Sequence, residues 1–360
     1  MTITLTKKWL RLPPARSLPR KSSSGWKLIS VPPIPVLVLF GPTASGKTGV
    51  LFRLFGPGGL CPLNAEIVSA DSMQVYRGMD IGTAKPSTQE RSWLPHHLID
   101  IREPSEQFNA GDFVRLALEA IADIAGRGAV PVVSGGTGFY LKNLVLGLPE
   151  APPCDVAIRD VLKLELREKG AVALMDELAR FDPVSAERIH LNDEYRLLRA
   201  LEVLRLSGRP LSSFDVSASP ANADNETRNR FRFVVFGLFR PKEELYGRID
   251  ERCAAMFSQG LPDEVRRLHE SGYTPRDPGL RAIGYREFFV EDEPARDDSP
   301  YRLSADLAGV QELVARNSRR YAKRQITFFA SLPGARRIMA GGDDDETARL
   351  LWRELESVLW

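Results

Sequence analysis

Hydrophobic positions along the 360-residue chain fall in short blocks whose period changes from one region to the next. VLVLF at 36–40, AEIVSA at 65–70 and AVPVVS at 129–134 are aliphatic and β-branched runs that stop at polar or glycine-rich turns, and they predict buried strands. Between the last two, FNAGDFVRLALEAIADIAGRG carries apolar residues at helical spacing. Asn109 stands as a cap at its start and Gly126 and Gly128 at its end, which predicts a crossover helix. Strand, turn and helix in alternation predict a parallel α/β sheet. After Pro149 the pattern changes: PEAPPCD is a proline-rich break, and residues 156–207 read as three successive amphipathic helices without a strand. A polar stretch from Ser212 to Asn229 predicts a surface loop, and FRFVVFGLF then returns as a buried strand. Helices are predicted over 242–271 and about 305–330, and a last amphipathic segment begins at Asp344.

Composition adds little except where charge is uneven. Nine of the 49 basic residues, from Lys7 to Arg53, precede the first acidic one, Glu66, which leaves 40 basic against 47 acidic residues in the remainder. Residues 1–35 are also rich in Pro and Ser and lack an apolar signal-peptide core, so they are expected to be a basic, disordered extension or the product of a start codon placed too early. A transit peptide and a nucleic-acid-binding arm are the other readings of that segment. The three cysteines, Cys61, Cys154 and Cys253, lie too far apart for a disulfide framework or a CxxC zinc site, which fits a reducing, cytoplasmic compartment. No apolar run approaches the ~18 residues of a membrane span.

The chemistry begins directly after the first strand. Gly41-Pro42-Thr43-Ala44-Ser45-Gly46-Lys47-Thr48 matches G-x-x-x-x-G-K-[ST] between a strand and a helix, the context that makes this pattern a phosphate-binding loop. Its N–H groups would point at phosphate oxygens, Lys47 would neutralise them, and the Thr48 hydroxyl would ligate Mg²⁺. The fold class is therefore expected to be α/β, a P-loop NTPase-like parallel sheet core with a helical insertion. The core would comprise residues 36–150 and 216–360, with the insertion at 151–215. The loop recognises a diphosphate and not what is attached to it, so ATP and other diphosphates are equally admissible at this stage. Asp71, in EIVSADSMQVY, stands where a second strand ends and is the best acid; its plainer role would be to cap a turn. The third strand ends in Ser134-Gly135-Gly136-Thr137-Gly138-Phe139-Tyr140, a flexible turn at the same edge of the sheet.

These residues, taken together, resemble the bacterial-type tRNA dimethylallyltransferase (tRNA isopentenyltransferase) family. The resemblance rests on GPTASGKT at 41–48, SADSMQVYRGMDIGTAKP at 69–86, PHHLID at 95–100 and VSGGTGFY at 133–140. It continues in RIHLNDEYRLLRALEV at 188–203, RAIGYRE at 281–287 and AKRQITFF at 322–329, and it spans roughly residues 36–335. It implies transfer of a dimethylallyl group from dimethylallyl diphosphate to N6 of the adenosine 3′-adjacent to the anticodon, with the phosphate loop holding the prenyl diphosphate rather than ATP. It further implies Asp71 as the general base, Thr137 as a hydroxyl beside the reacting centre, and residues 43–48 as the donor site. Contacts with tRNA are implied for Asp71, Ser72, Met73 and Gln74, for Arg159, for Tyr195, Arg196, Leu197, Leu198 and Arg199, and for Arg281, Ala282, Ile283, Gly284, Tyr285 and Arg286. A last implied contact segment runs from Lys323 to Ala330 and includes Lys323, Arg324 and Gln325. Phe328 and Ala330 stand where the family often has Trp and Arg, so one backbone contact is expected to be missing.

The chemistry fits this reading. An exocyclic adenine amine is a poor nucleophile, and a carboxylate that accepts its proton as the C–N bond forms contributes about 10²–10⁴-fold. The base must leave its stack to react, and Tyr76, Phe139 and Tyr285 are aromatic candidates for holding it, with packing in the core as the other role open to each. Arg316, Arg319, Arg320, Lys323 and Arg324 recur at i, i+3, i+4, i+7, i+8 in a segment without acidic residues from Leu313 to Gly342. They form one basic helix face expected to contact tRNA phosphates. His96 and His97 lack ligand partners at metal spacing and are expected to be structural or to hydrogen-bond the donor. The rival readings are a small-molecule or nucleoside monophosphate kinase, with Arg240, Arg248 and Arg252 as lid arginines, and a non-enzymatic RNA-binding switch. A monomer is expected.

Overall fold

The computed structural model describes residues 33–148, 151–214, 230–291 and 301–359; residues 1–32 of the predicted basic extension and most of the predicted polar loop lie outside the described residues, while Ile34 and Pro35 belong to the first strand. The described residues form two compact units, one within residues 33–145 and 230–359 and a second within 146–214.

In the first unit, β1 (Ile34–Phe40) runs into α1 (Lys47–Phe55), β2 (Ala65–Ser69) leads through a long loop to α2 (Thr88–Trp93) and β3 (His96–His97), and α3 (Ala110–Gly126) feeds β4 (Val130–Gly135) and α4 (Gly138–Leu146). Six strands form a parallel sheet in the order β3-β2-β4-β1, then β5 (Phe231–Phe239) and β8 (Arg336–Met339). Leu37 registers with Val132 on one side and Val234 on the other. All six carboxyl ends therefore share one edge. Val36 to Phe40 are buried on both faces, as a central parallel strand requires. One layer against the sheet is α1, whose Val50, Leu51 and Leu54 are buried; each contributes about 1.5–3 kcal/mol of burial. Asn109 caps α3 in a reciprocal capping box with Asp112.

The segment predicted as helical over 242–271 forms α8 (Lys242–Ser258) and α9 (Leu261–Glu270). Gly260 between them takes φ 97°, a left-handed conformation that stops the first helix, and Pro262 starts the second. A two-stranded antiparallel hairpin, β6 (Phe289–Glu291) with β7 (Tyr301–Leu303), precedes α10 (Leu307–Phe329), and α11 (Asp344–Leu359) closes the chain.

The second unit is helical: α5 (Val156–Phe181), bent at Gly170, α6 (Pro183–Arg188) and α7 (Glu194–Ser207). Its own core gathers Leu162, Leu174, Leu178, Leu197, Leu198 and Leu201.

Candidate active site

The loop after β1 folds as a phosphate cradle held from outside. Gly46 takes φ 95° at the N-terminus of α1, and Ala44 is also left-handed, at φ 61°. Lys47 curls back, its Nζ donating to the carbonyls of Gly41 and Pro42 at 2.9 Å each. The outward carbonyls are capped by arginines: Arg240 Nε donates to Ser45 O at 2.8 Å and Arg248 Nε to Ala44 O at 3.0 Å. Arg240 is buried and also pairs with Glu244 and Asp344. Arg240 and Arg248, two of the three arginines expected as lid residues in the kinase reading, are thus spent on the loop's backbone. Thr48 is exposed, and the buried Ser45 Oγ has no hydrogen-bond partner.

At the end of β2, Asp71 Oδ1 accepts from the N–H of Met73 at 2.8 Å and of Gln74 at 3.3 Å. The turn-capping role is therefore real but takes one oxygen; Oδ2 accepts no hydrogen bond among the described residues and is left for chemistry. Thr137, one strand over, joins the two turns: its Oγ1 accepts from Ser72 N at 2.9 Å and its own N–H donates to Ala70 O at 3.1 Å. β2 and β4 are paired neighbours, Ser69 with Ser134, and this brings Asp71 and Thr137 together. Gln74 is spent on the loop itself, accepting from Ser69 Oγ and donating to the carbonyls of Thr83 and Ala84.

Electrostatics tie the two halves of the site. Burial pushes the Lys47 ammonium down to about 8, with repulsion from Arg252 adding to the shift and the Asp71 carboxylate opposing it. Burial likewise lowers Arg252, again opposed by Asp71. Arg252, on α8, forms no hydrogen bond among the described residues, so its guanidinium is free to meet an anion. Burial of Tyr321, on α10, followed by repulsion from Asp71, pushes its hydroxyl up to about 12, with the nearby Thr137 and Gln325 opposing the shift. No group of three or more His, Cys, Asp or Glu able to hold a metal occurs among the described residues. A divalent ion here would rely on the Thr48 hydroxyl and on the oxygens of a bound diphosphate, a donor set that suits Mg²⁺.

The residues expected to meet tRNA divide by exposure. Arg316, Arg320, Lys323 and Arg324 are exposed along α10, whereas Arg319 is half-buried and pairs with Asp250. Ala322 and Phe329, on the opposite face, are buried. Gln325 is also buried, turned inward to the phosphate loop and away from solvent. Tyr285 is 0% exposed and donates its hydroxyl hydrogen to Glu264 Oε1 at 2.6 Å. It therefore cannot stack on a base. Glu264 also accepts from the N–H groups of Asp80, Ile81 and Gly82, pinning the loop that follows Asp71. Ala282 is buried, Ile283 and Gly284 are largely covered, and Arg281 and Arg286 are exposed. Tyr76 is buried, and Phe139, next to Thr137, is exposed.

Within the helical unit, Tyr195 and Arg196 are exposed while the side chains of Leu197 and Leu198 belong to the core. Arg159 and Arg199 both pair with Glu202, which is 0% exposed, at 2.8 and 3.1 Å. Burial raises the Glu202 carboxyl, but hydrogen bonds from Cys154, Arg199, the Asp155 N–H and Arg159 outweigh it and hold the carboxyl below the usual range. The Arg159 guanidinium lies 4.6 Å from the centre of the Tyr195 ring. These two arginines are thus fixed by a buried anion, and the aromatic ring is what they present outward.

His97 is held by Glu66 at 2.7 Å and His96 by the carbonyl of Leu94. Sequence reasoning missed the support given to the loop by Arg240 and Arg248, and missed Tyr321 and Glu264. No local signal marks them, because each acts across more than 100 residues or through burial.

Comparison with known proteins points one way. The profile of the family described as IPP transferase matches residues 74–332. The chain is 42% identical over 298 residues to tRNA dimethylallyltransferase 1 of Trichlorobacter lovleyi, covering 83% of this chain and 91% of that protein. It is 42% identical over 304 residues to tRNA dimethylallyltransferase of Geobacter sulfurreducens, covering 83% and 89%. Among solved structures it resembles the full-length tRNA isopentenylpyrophosphate transferase from Bacillus halodurans, with TM-score 0.60, 34% identity, and 90% and 96% of the two chains covered. It also resembles a eukaryotic dimethylallyltransferase acting on tRNA, with TM-score 0.72, 25% identity, and 90% and 79% covered.

Proposed function

The chain belongs to the IPP transferase family, and from that premise we propose that it is a tRNA dimethylallyltransferase that moves the dimethylallyl group of dimethylallyl diphosphate to N6 of the adenosine 3′-adjacent to the anticodon. The observation that carries this reading is geometric: β2 and β4 end side by side at the sheet edge that bears the phosphate loop, so that Thr137 Oγ1 accepts from the Ser72 N–H next to Asp71, and the Asp71 carboxylate opposes the lowering of both Lys47 and Arg252. As the N6–C1 bond forms, the allylic C1–O bond breaks, the amine proton passes to Asp71 Oδ2, and the electron pair leaves with the diphosphate. Lys47, Arg252 and the loop N–H groups neutralise that charge where it accumulates. Thr137 holds the Ser72 N–H and so fixes the turn that carries the base. Thr48 would hold Mg²⁺, which when bound supplies further neutralisation of the leaving diphosphate.

Phosphate contacts from Arg316, Arg320, Lys323 and Arg324 would position the anticodon stem without reading its sequence, and exposed Phe139 is the aromatic side chain beside the centre best suited to support an extruded base. A cytoplasmic monomer is the simplest assembly, supported by three unpaired cysteines and by a donor loop and acid contained in one chain. No helix of the described residues is long and apolar enough to cross a membrane.

The test is diphosphate release. It should require dimethylallyl diphosphate and unmodified tRNA together and proceed without ATP. Release from ATP in place of the prenyl donor, or release independent of tRNA, would overturn the reading.

A further inference from the structure

Gln325 lies in the basic segment of α10 yet is buried, and both ends of its amide are used. Its Oε1 accepts from the backbone N–H of Thr43 in the phosphate loop at 2.9 Å, and its Nε2 donates to the carbonyl of Gly136 at 2.7 Å. A Cβ on Gly136 would lie 2.5 Å from that Nε2, so the turn after β4 has no room to move toward the helix. The orientation of the amide follows from its partners, one of which can only donate and the other only accept. A single neutral group that does both is an amide; an ionised carboxylate could not donate to Gly136 and an ammonium could not accept from Thr43.

The carbonyl it holds belongs to the residue before Thr137, and Thr137 in turn holds Ser72, the neighbour of Asp71. One side chain therefore spans the gap between the loop that binds the donor and the turns that carry the acid. One helical turn earlier, Tyr321 lies near Thr137 and Gln325, and Phe328 fills the space over Gly138.

We infer that Gln325 is a positioning residue of the prenyl-donor site, which sets the distance between the phosphate loop and the Asp71–Thr137 pair, and that it does not contact tRNA. This rests on the prenyl-transfer reading above. With the amide removed, Thr43 N–H and Gly136 O lose their buried partners, and the two loops are free to drift relative to each other. Misplacement of reacting groups by about 1 Å costs on the order of 10²-fold in rate.

The experiment compares wild-type protein with Gln325→Met, which keeps the volume and loses both bonds, and Gln325→Glu, which keeps the acceptor and loses the donor. Each is assayed for kcat and KM for dimethylallyl diphosphate, and for tRNA affinity by filter binding. Normal tRNA affinity also shows that a variant is folded. Both variants should lose about 10- to 100-fold in kcat/KM for the donor, mostly in kcat, with tRNA affinity within about twofold of wild type. Unchanged donor kinetics, or a loss of tRNA affinity in either variant, would overturn the inference. Absence of transfer by the wild-type protein in the same assay would instead refute the prenyl-transfer reading.

Discussion

Lys47 gives the site a pH dependence that can be worked out in sign and size. In the free protein its ammonium titrates at about 8, because burial and Arg252 disfavour the charged form. A bound diphosphate favours that form and moves the value back toward or above the ordinary ~10.4. Between these two values the complex holds more protons than the free protein, so donor binding takes up a proton and affinity falls as pH rises. Below about 7 the lysine is charged in both states and affinity should be flat. At about pH 8 half a proton should be taken up per donor bound. By about pH 9 roughly nine-tenths of the free protein carries a neutral lysine, and Kd should be weaker by about tenfold. The donor itself contributes no slope above about 7, since its last phosphate ionisation lies near ~6. Calorimetric titration of dimethylallyl diphosphate between pH 6.5 and 9.5, in buffers of different ionisation enthalpy, reads affinity and proton uptake together. Lys47→Arg, whose guanidinium stays charged, should abolish the slope. A flat wild-type profile, or the same slope in Lys47→Arg, would refute the reasoning.

Other expectations follow from the same geometry. Asp71→Ala should lower kcat by about 10²–10⁴-fold with little change in donor affinity, and near-normal turnover in a steady-state assay would leave Asp71 with only its turn-capping role. Replacing Arg320 and Lys323 together should reduce the slope of log affinity for tRNA against log salt by about one to two units and leave donor affinity untouched; an unchanged slope would make that face merely solvated. Tyr285→Phe should cost about 1.5–3 kcal/mol through the lost bond to Glu264, seen as a melting temperature lower by several degrees, with tRNA affinity unchanged. Weaker tRNA binding at constant stability would restore a base-holding role.

The parts of the site legible in the sequence are those made by consecutive residues. The phosphate loop is one eight-residue word, and its function needs only a strand before it and a helix after it. Asp71 and Thr137 were legible as strand-end residues, and parallel neighbours at one sheet edge bring them together automatically. Direction was harder to read. Gln325 sits among basic residues and Tyr285 sits between arginines, so both read as part of an RNA surface. Which way each side chain points depends on what packs against it: the phosphate loop for Gln325, and Glu264 of α9 for Tyr285. The arginines gathered near the loop suggested a lid because their number is visible in sequence, whereas their caps on Ala44 O and Ser45 O depend on how the loop's carbonyls turn outward. β3, two residues long, and β8, in which only Ile338 is buried, carry too little alternation to be recognised as strands.

The most direct test of the account is the identity of the modified atom. Unmodified tRNA is incubated with the purified protein, dimethylallyl diphosphate and Mg²⁺, digested to nucleosides, and examined by mass spectrometry alongside sequencing of the modified position. The account predicts a single C5H8 addition on N6 of the adenosine 3′-adjacent to the anticodon in wild-type reactions, lost in Asp71→Ala. A prenyl group elsewhere on the tRNA, or a phosphorylated product formed at the expense of ATP, would contradict it.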